Sequence, residues 1–503
     1  MVNKADSQQV TTAAERAPSV SGASLRGGLV TQGLELVTSP GLGLINTGRS
    51  ERCNWSEAVS GPLRIEANNC ELRDFSPGTR IAKGALLTAR GQPHFAPVAA
   101  RVEPVAGALN LYPDAHEGET AIPPLAPFAP AMDLKSNLAQ IIARAREAGI
   151  VGMGGAGFPA WRKLAALSSD RPVVVINAVE CEPGLASDRA LWHARQADLP
   201  HVLAWLHASL MPHRLELAVK MGTQVPDVVR GLCEVLFTPH IYPAGDERIL
   251  HRALVAPPAE RPTDDNVLVF NVATLFALFD AVVTGWPPLS RWVTVLSPDR
   301  APRVGEVLFG TTFESLLSVA GFDDSVRDTC TLATGGPFMH KLVSGSGCVG
   351  PTTTGLIVLP ESSPAVVATP CIGCGRCDPV CPMHLPVQQL HHAADAGRDD
   401  QLRALRVSNC SGCGCCDAVC PSDLSLATQL RQASLEIERR AVAERIAAVT
   451  QAKAERHTAR EQRRSESRAR RRNTPAGDMG AVKRARLDDL IARARDKSSR
   501  EPS

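Results

Sequence analysis

The chain has 503 residues, 44% of them apolar and 21% charged, with 15 cysteines and a formal net charge of +2. That length suggests three or four domains, and that composition excludes bulk disorder. No run of about eighteen apolar residues marks a membrane span, because the most apolar stretch, Val267 to Trp286, is broken by Asn271, Thr274, Asp280 and Thr284.

Residues 1–25 read as a flexible polar leader without the apolar stretch of a secretory signal. Fifteen cysteines in such a chain point to a reducing compartment, and to metal or redox work rather than disulfides. Residues 26–118 alternate short apolar runs with Gly and Pro, the pattern of a small all-β module. The Pro-rich stretch Ile122 to Pro130 reads as a linker. A helix is expected over 136–149, with Ser136 or Asn137 as its cap and Gly149 as its stop. A glycine-rich loop, a second helix near Pro159 to Leu167 and a buried strand Val173–Ile176 follow. Strand and helix patterns then alternate to about Gly285, which favours a parallel α/β layer. Residues 291–360 return to short strands around a helix expected at Val304 to Ala320. The fold class expected is thus multi-domain α/β with small all-β modules.

The cysteine block follows. Cys371-x-x-Cys374-x-x-Cys377-x-x-x-Cys381-Pro382 recurs 39 residues later as Cys410-x-x-Cys413-x-x-Cys416-x-x-x-Cys420-Pro421. A zinc site needs only two C-x-x-C pairs. Two runs of four, each closed by proline, are the bacterial ferredoxin pattern, in which the fourth thiolate of each run crosses to the other cluster. One [4Fe–4S] cluster is therefore assigned to Cys371, Cys374, Cys377 and Cys420. The other is assigned to Cys410, Cys413, Cys416 and Cys381. Cys415 falls outside the spacing and reads as a bystander.

Residues 431–503 hold 20 Lys/Arg against 11 Asp/Glu, leaving 34 against 41 in the rest. This Ala/Arg/Glu-rich tail suits a long polar helix or a disordered basic arm. Each basic residue beside an anionic surface would add about 1 kcal/mol of attraction. Its arginine run has no interleaved aromatics, so no nucleic-acid partner is expected.

The loop Gly152-Met-Gly154-Gly155-Ala-Gly157-Phe158-Pro159 contains a G-x-G-x-x-G pattern, but it follows a helix rather than a strand. Four glycines in six residues still let backbone N–H groups approach a phosphate. Gly154 to Pro159 with Lys163, followed by Asn177-Ala-Val-Glu180-Cys-Glu182-Pro183, resembles the flavin-binding subunit of respiratory NADH–quinone oxidoreductase. The resemblance is closer to the RnfC (RsxC) family of the Rnf electron-transport complexes, to which Tyr242-Pro-Ala-Gly245-Asp-Glu247, Asn271-Val-Ala-Thr274 and the paired ferredoxin motifs also correspond. It covers about residues 60–460.

The resemblance implies a barrel-sandwich module at 26–118 and a Rossmann-like FMN/NADH domain at 131–290. A β-grasp (SLBB) module at 291–360, a helical double-cluster ferredoxin domain at 361–430 and the tail at 431–503 would follow. It implies FMN, NAD(H) and two [4Fe–4S] clusters as cofactors. The 152–157 loop (Gly152, Gly154, Gly155, Gly157) would hold the FMN phosphate above a floor of Phe158 and Pro159. Lys163, Asn177, Glu180 and Glu182 would address flavin and nicotinamide, and Tyr242, Gly245, Glu247, Asn271 and Thr274 would complete the pocket. Taken singly, Glu180 and Glu182 also suit solvated strand-end carboxylates, Lys163 a surface residue, and Asn271 and Thr274 a helix cap. With two Tyr in the chain, Phe158 and Tyr242 are the main stacking candidates.

The implied activity is electron input: hydride passes from NADH to flavin, and single electrons pass on to the clusters. No catalytic acid–base pair is required. The implied partners are the other Rnf subunits, integral-membrane and ferredoxin-type. The implied place is the cytoplasmic face of the bacterial inner membrane, reached as a peripheral subunit through those partners with help from the basic tail. A soluble cobalamin reductase of the propanediol-utilisation type, or a non-catalytic electron-transfer scaffold, are the alternatives.

Overall fold

The computed structural model describes residues 62–66, 70–114, 123–126, 133–168, 170–298, 300–323, 329–360, 368–473 and 476–498. The expected leader, the start of the first all-β module and most of the Pro-rich linker lie outside them. The chain divides into two compact units, 1–433 and 434–503.

Among the described residues the first unit opens with six strands: β1 (Leu63–Glu66), β2 (Cys70–Leu72), β3 (Thr79–Ile81), β4 (Thr88–Gly91), β5 (Ala100–Val105) and β6 (Ala108–Pro113). They form an antiparallel sheet of order β1-β6-β5-β3 and a β2–β4 pair. Alternation along Leu63-Arg-Ile-Glu66 turns Leu63 and Ile65 inward, where they meet Leu87, Val102, Leu109 and Leu111.

The α/β layer opens with α1 (Leu134–Glu147). Its cap is Asp133, whose carboxylate accepts from Ser136 N at 2.8 Å, one turn earlier than the sequence suggested. Asn137 lies inside the helix, fully buried, and its amide donates to Ala208 O at 3.2 Å. Gly149, at φ +65°, supplies the expected stop.

The layer continues with α2 (Ala160–Ala165), β7 (Val173–Asn177), α3 (Ser187–Arg195), α4 (Leu199–Leu210), β8 (Arg214–Lys220), β9 (Glu234–Thr238), α5 (Glu247–Leu254), β10 (Val267–Asn271) and α6 (Val272–Val283). The four strands are all parallel, in the order β10-β7-β8-β9. Both faces are covered, which is why Val173–Ile176 and Val267–Phe270 read as unbroken apolar runs. Val174, Ile176, Leu268 and Phe270 face the larger core, with Leu203 and Leu275 of the covering helices. Val175, Val267 and Val269 face the other side, against Leu250 of α5. Each such side chain contributes roughly 1.5–3 kcal/mol by leaving water. The chain runs outward from β7 through β8 to β9, then returns to the opposite flank with β10. The strand order therefore reverses at β7 and β10, whose last residues, Asn177 and Asn271, are register partners. Ligands of open α/β sheets bind at that crevice, beyond the strands' carboxyl ends.

A third sheet, of order β12-β11-β15-β13-β14, is built from β11 (Ser290–Ser297), β12 (Arg300–Leu308), β13 (Cys330–Thr334), β14 (Lys341–Val343) and β15 (Gly355–Pro360). Its β11–β15 pair is parallel and the rest antiparallel. The helix expected at Val304–Ala320 is shorter: 300–308 is strand β12, and only α7 (Phe313–Val319) is helical. Val304, Glu306 and Leu308 pair with Thr294, Trp292 and Ser290 of β11, so sheet pairing takes their backbone groups. Gly310 at φ +85° breaks the chain before Thr312 caps α7.

The cysteine block wraps around α8 (Val387–Asp395), α9 (Asp399–Ala404) and the first turns of α10 (Leu426–Asn473). Its 39-residue repeat is structural as well as sequential. Gly373, Gly375 and His384 have positive φ, and so do their counterparts Gly412, Gly414 and Asp423. Asp378 accepts from Gln388 N at 2.9 Å and Asp417 from Ala427 N at 2.8 Å, each bonding the start of the following helix.

The second unit holds the rest of α10 and α11 (Ala476–Ser498). Most of its described side chains are exposed, and it carries i,i+4 pairs such as Glu436–Arg440 and Asp489–Arg493. Among the described residues no helix is long and apolar enough to cross a membrane.

Candidate cofactor cleft and cluster sites

The glycine loop connects α1 to α2 and closes on itself. Gly152 N donates to Phe158 O at 2.8 Å and Gly157 N to Gly152 O at 3.1 Å, with Gly155 at φ +105° and Gly157 at +66°. The loop is held against the start of α6. Met153 N donates to Thr274 Oγ1 at 2.8 Å, and a Cβ at position 154 would lie 3.3 Å from Asn271 Nδ2. Asn271 caps α6 through Ala273 N (2.9 Å) and also holds Asp188 Oδ2 (2.7 Å). A Cβ at 157 would stand 3.0 Å from Thr352 Cγ2. A side chain at 154 or 157 would therefore press on Asn271 or Thr352, so glycine lets the loop pack closely at the switch point. Residues 154–156 are exposed, and such bare glycine backbone fits a phosphate-bearing cofactor. Phe158, half exposed at 49%, stands at the end of this loop.

The other expected cleft residues divide into two groups. Asn177 donates to Gly245 O at 2.8 Å and accepts from Val179 N at 3.1 Å, which ties the end of β7 to the 242–247 segment. Gly245 is required there, since a Cβ would lie 2.9 Å from Val179 O. Lys163 of α2 pairs with Glu247 and donates to Val269 O at 3.0 Å, so both charges are engaged with each other. Glu180 is buried and accepts from Asp188 N at 2.8 Å, a bond that fixes the start of α3. Loss of water pushes Glu180 up to about 8, reinforced by the neighbouring Asp188 charge. Asp188 is raised to about 6 by burial and is restrained by the positive charge of Arg291. Burial lowers Arg291, in turn, to about 10.

Glu182 and Tyr242 are engaged elsewhere than the glycine loop. Glu182 Oε2 accepts from Phe338 N at 3.1 Å, beneath the β13–β14 hairpin, while its buried Oε1 has no hydrogen-bond partner. Burial raises its carboxyl to about 8. The Tyr242 ring stacks on Phe338, with centroids 4.4 Å apart and planes 15° from parallel, and its hydroxyl donates to Cys413 O at 2.6 Å. Arg248 adds bonds to Ser408 O (2.8 Å) and Cys410 O (3.1 Å). Gly414 packs so closely on Phe338 O that a Cβ would come within 2.8 Å. The 242–248 segment and the hairpin thus clamp the second cysteine loop onto the α/β layer. Burial of Cys181 raises its thiol, which suits a structural role.

The eight thiols surround two hollows. One, of about 340 Å³ including its mouth, is lined by Cys371, Cys374, Cys377 and Cys420. The other, of about 330 Å³, is lined by Cys381, Cys410, Cys413 and Cys416. Each hollow thus gathers three thiols of one motif and the fourth of the other. Thiols arranged around a hollow fit a bulky polynuclear group. Gly373 N donates to Cys371 Sγ and Leu385 N to Cys381 Sγ, both at 3.4 Å, the kind of bond that tunes cluster potential. Cys374 is exposed, whereas Cys381, Cys413 and Cys416 are buried. Cys415 lines the second hollow too.

Sequence reasoning missed Asp188, Arg291, Phe338 and Thr352. None stands in a spacing pattern, and three of them come from the sheet that follows the α/β layer.

Residues 145–280 match the Nuo51 FMN-binding domain, and residues 367–424 match the 4Fe-4S dicluster domain. The chain is similar to curated proteins named as the C component (RnfC) of the ion-translocating oxidoreductase complex. The one from Pseudomonas aeruginosa is 34% identical over 287 residues, 52% of this chain and 36% of its own length. That of Erwinia tasmaniensis is 30% identical over 450 residues (82% and 54%), and that of Salmonella typhimurium 30% over 454 (84% and 61%). The chain spans about half the length of these curated relatives. Among solved structures, that of an NAD+-reducing [NiFe]-hydrogenase in the air-oxidized state aligns over 62% of this chain and 68% of that one, at 16% identity and a TM-score of 0.41.

Proposed function

We propose that this chain, a homologue of the RnfC component of ion-translocating oxidoreductase complexes, is the electron-input subunit of an Rnf-type complex that oxidises NADH. The observation that carries the reading is the pair of thiol quartets ringing two hollows, one of them clamped to an α/β layer with a phosphate cradle at its switch point. When bound, flavin exchanges an electron pair with nicotinamide and gives it up singly to iron–sulfur clusters, chemistry that belongs to the cofactors.

The chain supplies position and insulation. The 152–157 loop would seat the FMN phosphate, held from behind by Asn271 and Thr274. Phe158 is the exposed aromatic beside that loop. Asn177 and Gly245 join the crevice to the segment whose Tyr242 and Arg248 hold the second cluster loop. Glu180 fixes the start of α3 at the crevice, and Lys163 with Glu247 forms its charged pair. The quartet Cys381, Cys410, Cys413 and Cys416 lies on the cleft side. The quartet containing exposed Cys374 is the natural exit.

The sheet of β11–β15 with α7 supports a β-grasp reading, and the β1–β6 module supports a barrel-sandwich one. The partners in this reading are integral-membrane and ferredoxin-type subunits on the cytoplasmic face of the inner membrane, with the basic tail aiding attachment. The name shared by the curated relatives favours this over a cobalamin reductase. Anaerobic purification with iron, sulfide and flavin analysis tests it. About eight iron atoms per chain, one FMN and cluster bleaching by NADH are expected. Iron without flavin or NADH bleaching would reduce the chain to a scaffold.

A further inference from the structure

The glycine loop packs directly against a turn that belongs to another part of the fold. Gly157 and Gly155 look onto Thr352 and Thr354, whose methyl carbons lie 3.0 and 3.9 Å from the Cβ positions those glycines lack. Both threonines sit in the turn that leads into β15, which is held rigid locally. Gly350 N donates to Thr353 Oγ1 and Thr353 N to Gly350 O, each at 3.1 Å, and Thr294 N of β11 donates to Thr354 O at 3.2 Å. Arg291, also in β11 and only 4% exposed, donates through its guanidinium to Pro351 O and to Trp292 O. The same buried cation acts on Asp188 and Glu180 across the junction. Asp188 holds the Asn271 amide at 2.7 Å, and Asn271 packs against Gly154. The Pro351–Thr354 turn, bonded to Arg291, thus flanks the loop on one side, and Asn271, bonded to Asp188, flanks it at Gly154.

We infer that the Pro351–Thr354 turn is the second wall of the cofactor-phosphate cradle, with Arg291 as the positioning residue that ties this wall to the α/β layer. The inference rests on the flavin reading above and adds that the cradle is completed by a different module from the one that carries the glycines. A guanidinium suits this position because its planar fork serves two carbonyls while its charge offsets buried carboxylates. Thr352 sets how much room the loop has, and because it is exposed, enlarging it leaves the core intact.

The test uses the full chain, reconstituted anaerobically with both clusters, and reads FMN affinity by quenching of flavin fluorescence, with urea unfolding measured alongside. Thr352→Leu, which extends into the cradle, is expected to weaken FMN binding on the order of tenfold with an unchanged urea midpoint. Thr352→Val, equal in size, is expected to bind like wild type. Arg291→Lys keeps the charge but loses the fork, and is expected to weaken FMN binding and alter the visible circular dichroism of bound flavin. Should Arg291→Lys fail to fold, the Thr352 pair decides alone. Wild-type protein that binds no FMN would remove the flavin reading itself. Wild-type protein that binds FMN, with Thr352→Leu matching it within about twofold, would overturn the inference while leaving that reading in place.

Discussion

The Glu182 carboxyl carries one hydrogen bond, one bare buried oxygen and a pKa raised to about 8. An acid raised on folding binds its proton more tightly in the native state, so its contribution to stability is full below the unfolded value and is lost as pH rises towards 8. Glu182→Gln removes this loss. The variant is expected to match wild type near pH 5 and to exceed it in thermal midpoint above pH 8, in melts of the cluster-free chain across that range. Tyr242 offers a second single-residue check. Tyr242→Phe keeps the ring on Phe338 but loses the bond to Cys413 O, a change expected to cost about 0.5–1.5 kcal/mol in urea unfolding. Residue type placed Asn177, Gly245 and Thr274 together, and each bonds or packs at the switch point. It did not show that the Tyr242 ring joins a hairpin to a cysteine loop. No local pattern could have shown that, because both of its partners come from distant segments.

At the scale of elements, the cysteine repeat was legible because both motifs keep one spacing, and both halves share the same positive-φ turns. The start of α1 was misplaced because Ser136 and Asn137 are also good caps, and only burial of Asn137 against Ala208 decides for Asp133. Residues 304–308 were expected to be helical and are strand, since sheet pairing overrides a weak local preference. The matched aspartates predict a matched response. Asp378→Ala and Asp417→Ala each remove the bond to the start of a helix and should each cost about 1 kcal/mol in urea unfolding. Gly154→Val should abolish flavin binding in a fluorescence titration, because its branches meet Asn271 from a Cβ already 3.3 Å from the amide.

Within residues 62–433 one clamp joins the crevice of the α/β layer to the thiol-lined hollows. Asn177 holds Gly245, Tyr242 and Arg248 hold the second cysteine loop, and the paired loop beyond leaves Cys374 at the surface. This arrangement gives an order of sites from buried to exposed, which composition and motif spacing alone did not contain. The central claim is that each hollow is completed by a cysteine from the other motif, and double substitutions measure it directly. In the crossed arrangement Cys371→Ser with Cys420→Ser damages one site only, so about four iron atoms and one cubane resonance signal should survive anaerobic reconstitution, while Cys371→Ser with Cys381→Ser should strip both. If the first pair empties both sites and the second spares one, each motif holds its own cluster and the account is contradicted.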